Sequence, residues 1–304
     1  MKPLVKYRGG KSKEIPHLIK QIPEYSGRYI EPFFGGGALF FYLEPKSAII
    51  NDINSKLISF YLGVKDDFDT LKNELTEIER VYTINRKKFE ELKSKTPDKR
   101  VEDENEHLYY QIRDMFNELT KKKYSDALLY FFINKTAYSG MIRYNAKGEF
   151  NVPYGRYANL NTSLVTKSHS KLLANTEIYK LDYSRIFKMA TKDDFMFLDP
   201  PYDCVFSDYG NAEYKDGFNE MNHIELANQY KKLKCKALMV IGRTPLTEKL
   251  YGDYIVDEYD KSYAVNIRNR FKSVASHILI SNYGNEALKR EPKLILEEES
   301  VSYG

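Results

Sequence analysis

Tryptophan is absent from this chain, and its 304 residues include only two cysteines and five histidines. Cys204 and Cys235 form no CxxC pair and supply no disulfide framework. The histidines (His17, His107, His169, His223 and His277) are too scattered for a zinc site, so no metal is expected. No apolar run approaches the roughly 18 residues that a membrane span requires. The opening Met-Lys-Pro-Leu-Val-Lys has no signal-peptide core. Together these absences predict a cytoplasmic protein in a reducing setting, without membrane attachment.

The excess of one sign of charge is small as well. A formal net charge of +4 and a pI near 8.6 permit a polyanionic partner without demanding one. Tyrosine is plentiful at 26 residues and can stack on bases, although most tyrosines serve as half-buried surface and core. Hydrophobic content of 42% and charged content of 30% are ordinary for a soluble globular protein. The length suits one large α/β domain with an insertion, or two domains.

The chain is organised around Phe195-Met196-Phe197-Leu198-Asp199-Pro200-Pro201-Tyr202. An apolar run ending abruptly in Asp-Pro-Pro-Tyr reads as a buried strand stopped by a stiff turn. It presents the Asp199 carboxylate, the Pro200 carbonyl and the Tyr202 ring at a strand's carboxyl end, where open α/β sheets bind ligands. Two acceptors beside a flat ring suit an exocyclic amino group on a planar heterocycle. The plainer reading is a strand-ending turn with an ordinary Asp and Tyr.

Upstream, Lys6-Tyr7-Arg8-Gly9-Gly10-Lys11 precedes an amphipathic stretch. Its glycines let backbone N–H groups approach an anion, but the motif is too short for a Walker loop and reads equally as a basic surface turn. Tyr29-Ile30 then runs through Glu31-Pro32-Phe33-Phe34-Gly35-Gly36-Gly37 into Ala38–Phe41, a strand, glycine turn and helix start of the nucleotide-cofactor kind. Glu31 sets a negative charge where a pyrophosphate would lie, so a cofactor bearing an amino group and a sulfonium fits better. A second strand, Ala48–Ile50, ends in Asn51-Asp52, with Asp52 placed for ribose hydroxyls.

From about Leu57 to Lys171 the pattern turns helical and highly charged, predicting an inserted domain. Within it, Ile142-Arg143-Tyr144 and Phe150-Asn151-Val152 flank a Lys147-Gly148 turn and predict a β-hairpin. Arg143, Asn145 and the neighbouring tyrosines would suit a major groove, where Arg reads guanine; a plain surface hairpin is the alternative. Strand patterns resume at Glu177–Asp182 and continue through Ala237–Ile241, Tyr254–Val256 and His277–Ile280.

These motifs, in this order and spacing, resemble the Dam-type (D12 class) DNA adenine-N6 methyltransferases over roughly residues 4 to 205. The resemblance implies an α/β fold: a Rossmann-like seven-stranded methyltransferase sheet with an inserted, mostly helical target-recognition domain. It divides the chain into a catalytic domain (1–56 and 172–285), a DNA-recognition domain (57–171) and a flexible tail (286–304). It implies S-adenosylmethionine as cofactor, with Tyr7 and Lys11 lining its pocket and Phe33 to Gly37, including Gly35, wrapping the methionine part. Asp52 would hold the ribose and Asp182 the cofactor's adenine. Asp199, Pro200 and Tyr202 would grip a flipped target adenine. Tyr138 would be a wedge entering the duplex, and Met141, Arg143 and Pro153 contacts to a recognition site such as GATC.

One departure stands out. After Ala237–Ile241 the family usually continues with a Ser-Asn pair, and here Gly242-Arg243-Thr244 follows. Arg243, Arg268 and Arg270 are candidates to face DNA phosphates. The expected partner is double-stranded DNA, with a monomeric enzyme and a restriction endonuclease, where one exists, acting separately. Two other readings remain open: an RNA or protein-glutamine methyltransferase, and a DNA-binding module with a vestigial pocket.

Overall fold

The computed structural model describes residues 1–140, 142–203, 218–262 and 274–284. Met141, Arg268 and Arg270 and the tail at 286–304, which all carried expectations, lie outside the described residues. Seven strands form one sheet: β1 (Tyr29–Glu31), β2 (Ala48–Asn51), β3 (Thr176–Tyr179), β4 (Phe195–Leu198), β5 (Lys236–Gly242), β6 (Ile255–Ser262) and β7 (Val274–Ser281). Their order is β3-β2-β1-β4-β5-β7-β6, with β7 antiparallel to both neighbours and the remaining pairs parallel. Every residue of β1, β2 and β4 is buried, as expected of parallel strands covered on both faces. Alternate residues serve opposite faces: Phe195 and Phe197 join one core, Met196 and Leu198 the other.

This order sets the position of the site. β1 has β2 on one side and β4 on the other, so the connections diverge there and open a crevice beyond the strands' carboxyl ends. Glu31 ends β1 and Asp199 follows β4, which puts the glycine turn and the Asp-Pro-Pro-Tyr turn on the two lips of that crevice.

Ten α-helices accompany the sheet among the described residues: α1 (Ile15–Leu18), α2 (Ala38–Leu43), α3 (Ser55–Asp66), α4 (Phe68–Lys95), α5 (Glu104–Phe116), α6 (Asp126–Thr136), α7 (Lys167–Ala174), α8 (Tyr183–Met189), α9 (Glu220–Tyr230) and α10 (Pro245–Tyr251). None is long and apolar enough to cross a membrane. Side chains start several of them: Asn54 caps α3 and Ser125 caps α6 by accepting backbone N–H bonds. In α4, Phe68, Leu71, Leu75, Ile78 and Tyr82 form a buried stripe at helical spacing. The helical segment shares one hydrophobic core with a face of the sheet, running from Phe195 and Val240 through Phe60 to Tyr109 and Phe132.

The predicted hairpin is present in a reduced form. Tyr144 and Phe150 make an isolated antiparallel bridge, and so do Ala137 and Tyr154, rather than two continuous strands. Backbone bonds still join the two sides, Asn145 N–H to the Glu149 carbonyl at 2.8 Å and Asn151 N–H to the Arg143 carbonyl at 3.1 Å, and side chains add to them. Asn145 Oδ1 accepts the Lys147 and Glu149 N–H groups at 2.9 and 3.0 Å. Asn117 exchanges two bonds with the backbone of Phe150, and Tyr109 donates to the Val152 carbonyl at 2.8 Å. The loop is therefore fixed to α5 from beneath.

Candidate active site

The glycine turn is shaped by close contact. Gly35 and Gly37 have φ of +48° and +62°, in the left-handed region that side chains disfavour. A Cβ on Gly35 would meet the Tyr7 ring at 2.8 Å, and one on Gly37 would meet the Phe34 ring at 2.4 Å. Asp52 holds this turn from the second strand: its carboxylate accepts from Gly35 N–H at 2.8 Å and from Asn54 N–H at 2.9 Å. Tyr61 donates to the Gly35 carbonyl at 3.1 Å.

Asn51, which the sequence did not single out, ties three strand ends together. Its side-chain amide donates to the carbonyls of Pro32 and Leu181 at 2.9 and 3.0 Å, and its oxygen accepts from Leu181 N–H at 2.8 Å. Asp182, one residue on, is exposed and caps α8 by accepting from Ser184 N–H at 2.9 Å. The Phe33 ring packs on Tyr183 at 5.2 Å and on Phe218 at 6.5 Å, so it lies on the Asp182 side of the crevice.

Across the crevice, Asp199 remains 22% exposed, neither sealed in the core nor out on the surface. Lys11, itself buried, donates from Nζ to Asp199 Oδ2 at 2.6 Å and to the Gly9 carbonyl at 2.7 Å. The same ammonium lies 5.1 Å from the centre of the Tyr202 ring. Lys11, expected to line the cofactor pocket, thus pairs with the acid of the opposite lip. Tyr202 also packs edge-to-face on His277, with ring centroids 5.1 Å apart. Gly242 stands beside it: a Cβ there would meet Tyr202 at 3.3 Å. The atypical Gly242 thereby lets this ring lie close against β5.

Carboxylates dominate the electrostatics. Burial pushes Glu31 well above the usual carboxylate range; its bond from the Tyr29 hydroxyl opposes this, while Asp199 and Asp52 add to it. Burial likewise raises Asp199, with Lys11 opposing. Burial raises the Tyr7 hydroxyl, and both Asp52 and Asp199 push it further, so Tyr7 lies within the field of both lips. A crevice of clustered acids with a glycine floor fits a cationic cofactor and does not fit a pyrophosphate.

The DNA-facing expectations divide. Tyr138 is 46% exposed, and Arg143 and Pro153 are exposed too, although Arg143 also donates to Asn151 Oδ1 at 2.9 Å. Asn145 uses its amide inside the turn. Arg243 is exposed and forms ion pairs with the comparably accessible Glu248 and Glu258. No group of three His, Cys, Asp or Glu suited to a metal occurs among the described residues.

A mixed sheet with its switch point between a glycine turn and an Asp-Pro-Pro-Tyr turn defines an α/β methyltransferase fold whose acidic crevice suits S-adenosylmethionine. A profile of the D12 class N6 adenine-specific DNA methyltransferases matches residues 7–267, and the chain belongs to that family. It is 33% identical to the type II methyltransferase M.CviBI of Paramecium bursaria Chlorella virus NC1A, over 93% of this chain and 100% of that protein. It is 34% identical to the type II methyltransferase M.MjaIII of Methanocaldococcus jannaschii, over 93% and 99%. Similarity to the DNA adenine methylase of Haemophilus influenzae is 27% over 83% of each chain. The protein is an S-adenosylmethionine-dependent DNA adenine-N6 methyltransferase.

Proposed function

We propose that the enzyme acts on adenine flipped out of duplex DNA at a short site, GATC or a close variant, and that Asp199, Pro200 and Tyr202 carry the reaction. The observation supporting this most strongly is the placement of the Asp199 corner directly across the switch point from the glycine turn. Flipping costs a few kcal/mol, which backbone contacts and a wedge offset. The exposed Tyr138 would serve as that wedge, with Arg143 and Pro153 along the recognition edge and Asn145 shaping the turn that presents them. Residues 57–171 would form the recognition unit.

Tyr202 offers its face to the flipped base. Adenine N6 is a weak nucleophile because its lone pair is delocalised into the ring. Asp199 and the Pro200 carbonyl each accept one N6–H bond, which favours a pyramidal nitrogen and directs its lone pair along the crevice. Bound S-adenosylmethionine supplies an electrophilic methyl group on a cationic sulfur. Asp199 favours that positive charge, and a bound cation would draw the buried Glu31 carboxyl back toward its ionised form. Asp52 would take ribose hydroxyls, since a carboxylate offers about four acceptor sites, and Asp182 with Phe33 and Tyr183 would hold the purine. Tyr7, Gly35 and Gly37 would form the floor. The N6 proton leaves after transfer, with Asp199 nearest to receive it.

Asp199 must be ionised to accept, so the rate falls as pH drops through its pKa. Lys11, ahead of Lys261, restrains the upward push of burial. Lys11→Met is therefore expected to move the acid limb of the pH–rate profile to higher pH. An unmoved limb would show that Lys11 does not tune the acid.

Digestion of plasmid DNA after incubation, with mass spectrometry of the nucleosides and sequencing of the modified adenines, tests the substrate and site. N6-methyldeoxyadenosine confined to one short motif is expected. Methylation scattered without a motif, or methyl groups appearing in RNA or protein instead, would contradict the reading.

A further inference from the structure

Behind the Tyr202 ring lies a buried polar cluster that the reaction as described leaves unused. Glu14 is 3% exposed and ends the turn that begins at Lys11, its N–H donating to the Lys11 carbonyl at 2.8 Å. Its carboxylate reaches the far edge of the sheet. It accepts from the Tyr259 hydroxyl at 2.5 Å, from the Lys261 ammonium, and shares a 2.8 Å bond with His277 Nδ1. His277, fully buried on β7, turns its ring against Tyr202 at 77°. Burial alone would raise the Glu14 carboxyl, but the His277 bond, the Lys11 charge and the bonds from Lys261 and Tyr259 bring it down to about 2.

A buried carboxylate with three partners is costly unless fully satisfied, and fully satisfied it fixes one arrangement of its neighbours. Here those neighbours reach both halves of the Asp199 corner from one turn. Lys11 at the turn's start grips the carboxylate, and Glu14 at its end grips the imidazole that backs the ring. We propose that Glu14 is a positioning residue for methyl transfer, acting through His277 to set the Tyr202 ring against which the target adenine stacks. The inference rests on the reading of Tyr202 given above. With the ring free to tilt, the stacked base drifts from its line of attack, and misplacement on the ångström scale costs up to about 10²-fold.

The test compares single-turnover rates at saturating DNA and S-adenosylmethionine with cofactor dissociation constants and melting temperatures. Glu14→Gln is expected to slow transfer by about ten- to 10²-fold while cofactor affinity holds within about threefold. Glu14→Gln also takes the carboxylate charge from the Lys261 ammonium, so the double variant Glu14→Gln/Lys261→Met removes that ammonium too. Lys261 also acts on Asp199, so rates are compared at pH above the acid limb. The double variant should recover melting temperature but not rate. His277→Leu, which leaves Glu14 its other partners, should slow transfer comparably and carries the test if Glu14→Gln fails to fold. Recovery of rate together with stability in the double variant would mean a purely structural role and would overturn the proposal. So would a loss confined to cofactor affinity, or a rate within about threefold of wild type. Tyr202→Ala at wild-type rate would sink the underlying reading of the ring. A slow Tyr202→Ala beside fast Glu14 and His277 variants would sink this inference alone.

Discussion

Asp199→Ala is expected to lower the single-turnover rate of methyl transfer by at least 10²–10³-fold, the scale of losing a preorganised electrostatic contact to the reacting group. The same variant should still bind S-adenosylmethionine within about tenfold of wild type, because the glycine turn and Asp52 lie on the opposite lip. One complication follows from the geometry. Lys11 is 4% exposed and its ammonium sits on Asp199, so the alanine strands a buried charge. Breaking a buried pair from one side typically costs about 3–5 kcal/mol in stability. The double variant Lys11→Met/Asp199→Ala removes the stranded charge, and stability should return while the rate does not. A double variant that regained both would move the chemistry elsewhere.

Asn51→Leu is expected to destabilise the protein by about 3–5 kcal/mol, from partners left unsatisfied at about 1–3 kcal/mol each. Leucine keeps the branching and heavy-atom count of asparagine and leaves no cavity, although its bulkier methyl groups add some strain to the loss. The orphaned groups would be the carbonyls of Pro32 and Leu181 and the N–H of Leu181. Pro32 precedes Phe33 and the glycine turn, and Leu181 precedes Asp182, so cofactor affinity should fall with stability. Denaturant unfolding and calorimetric titration with S-adenosylmethionine measure the two. A loss below about 1 kcal/mol would mean that the three strand ends are held by packing alone.

The contrast between these residues marks what a sequence shows. Strands β1, β2, β4 and β5 were legible because each is a short apolar run with a turn signal at its end, a property carried by neighbouring residues. The Asp199 corner was legible for the same reason: two prolines stiffen it locally. Asn51, Glu14 and the Lys11–Asp199 pair were not singled out in this way. Each takes its meaning from a partner far along the chain, 188 positions away for Lys11 and 263 for Glu14 and His277. Nothing in the local pattern distinguishes such a glutamate from a solvated one. The predicted hairpin is present in shortened form: backbone bonds of Asn145 with Glu149 and of Asn151 with Arg143 hold it, and Asn145 and Asn117 add side-chain bonds that no local pattern announces. That Arg243 pairs with Glu248 and Glu258 was equally hidden, because α10 and β6 bring those acids to it only in the fold.

A crystal structure of the protein with S-adenosylhomocysteine and a duplex containing its methylation site tests the central claim most directly. The account predicts the target adenine outside the helix, its N6 within hydrogen-bond distance of the Asp199 carboxylate and the Pro200 carbonyl, and its ring over Tyr202. An adenine still stacked in the duplex, or held extrahelically away from Asp199, would contradict it.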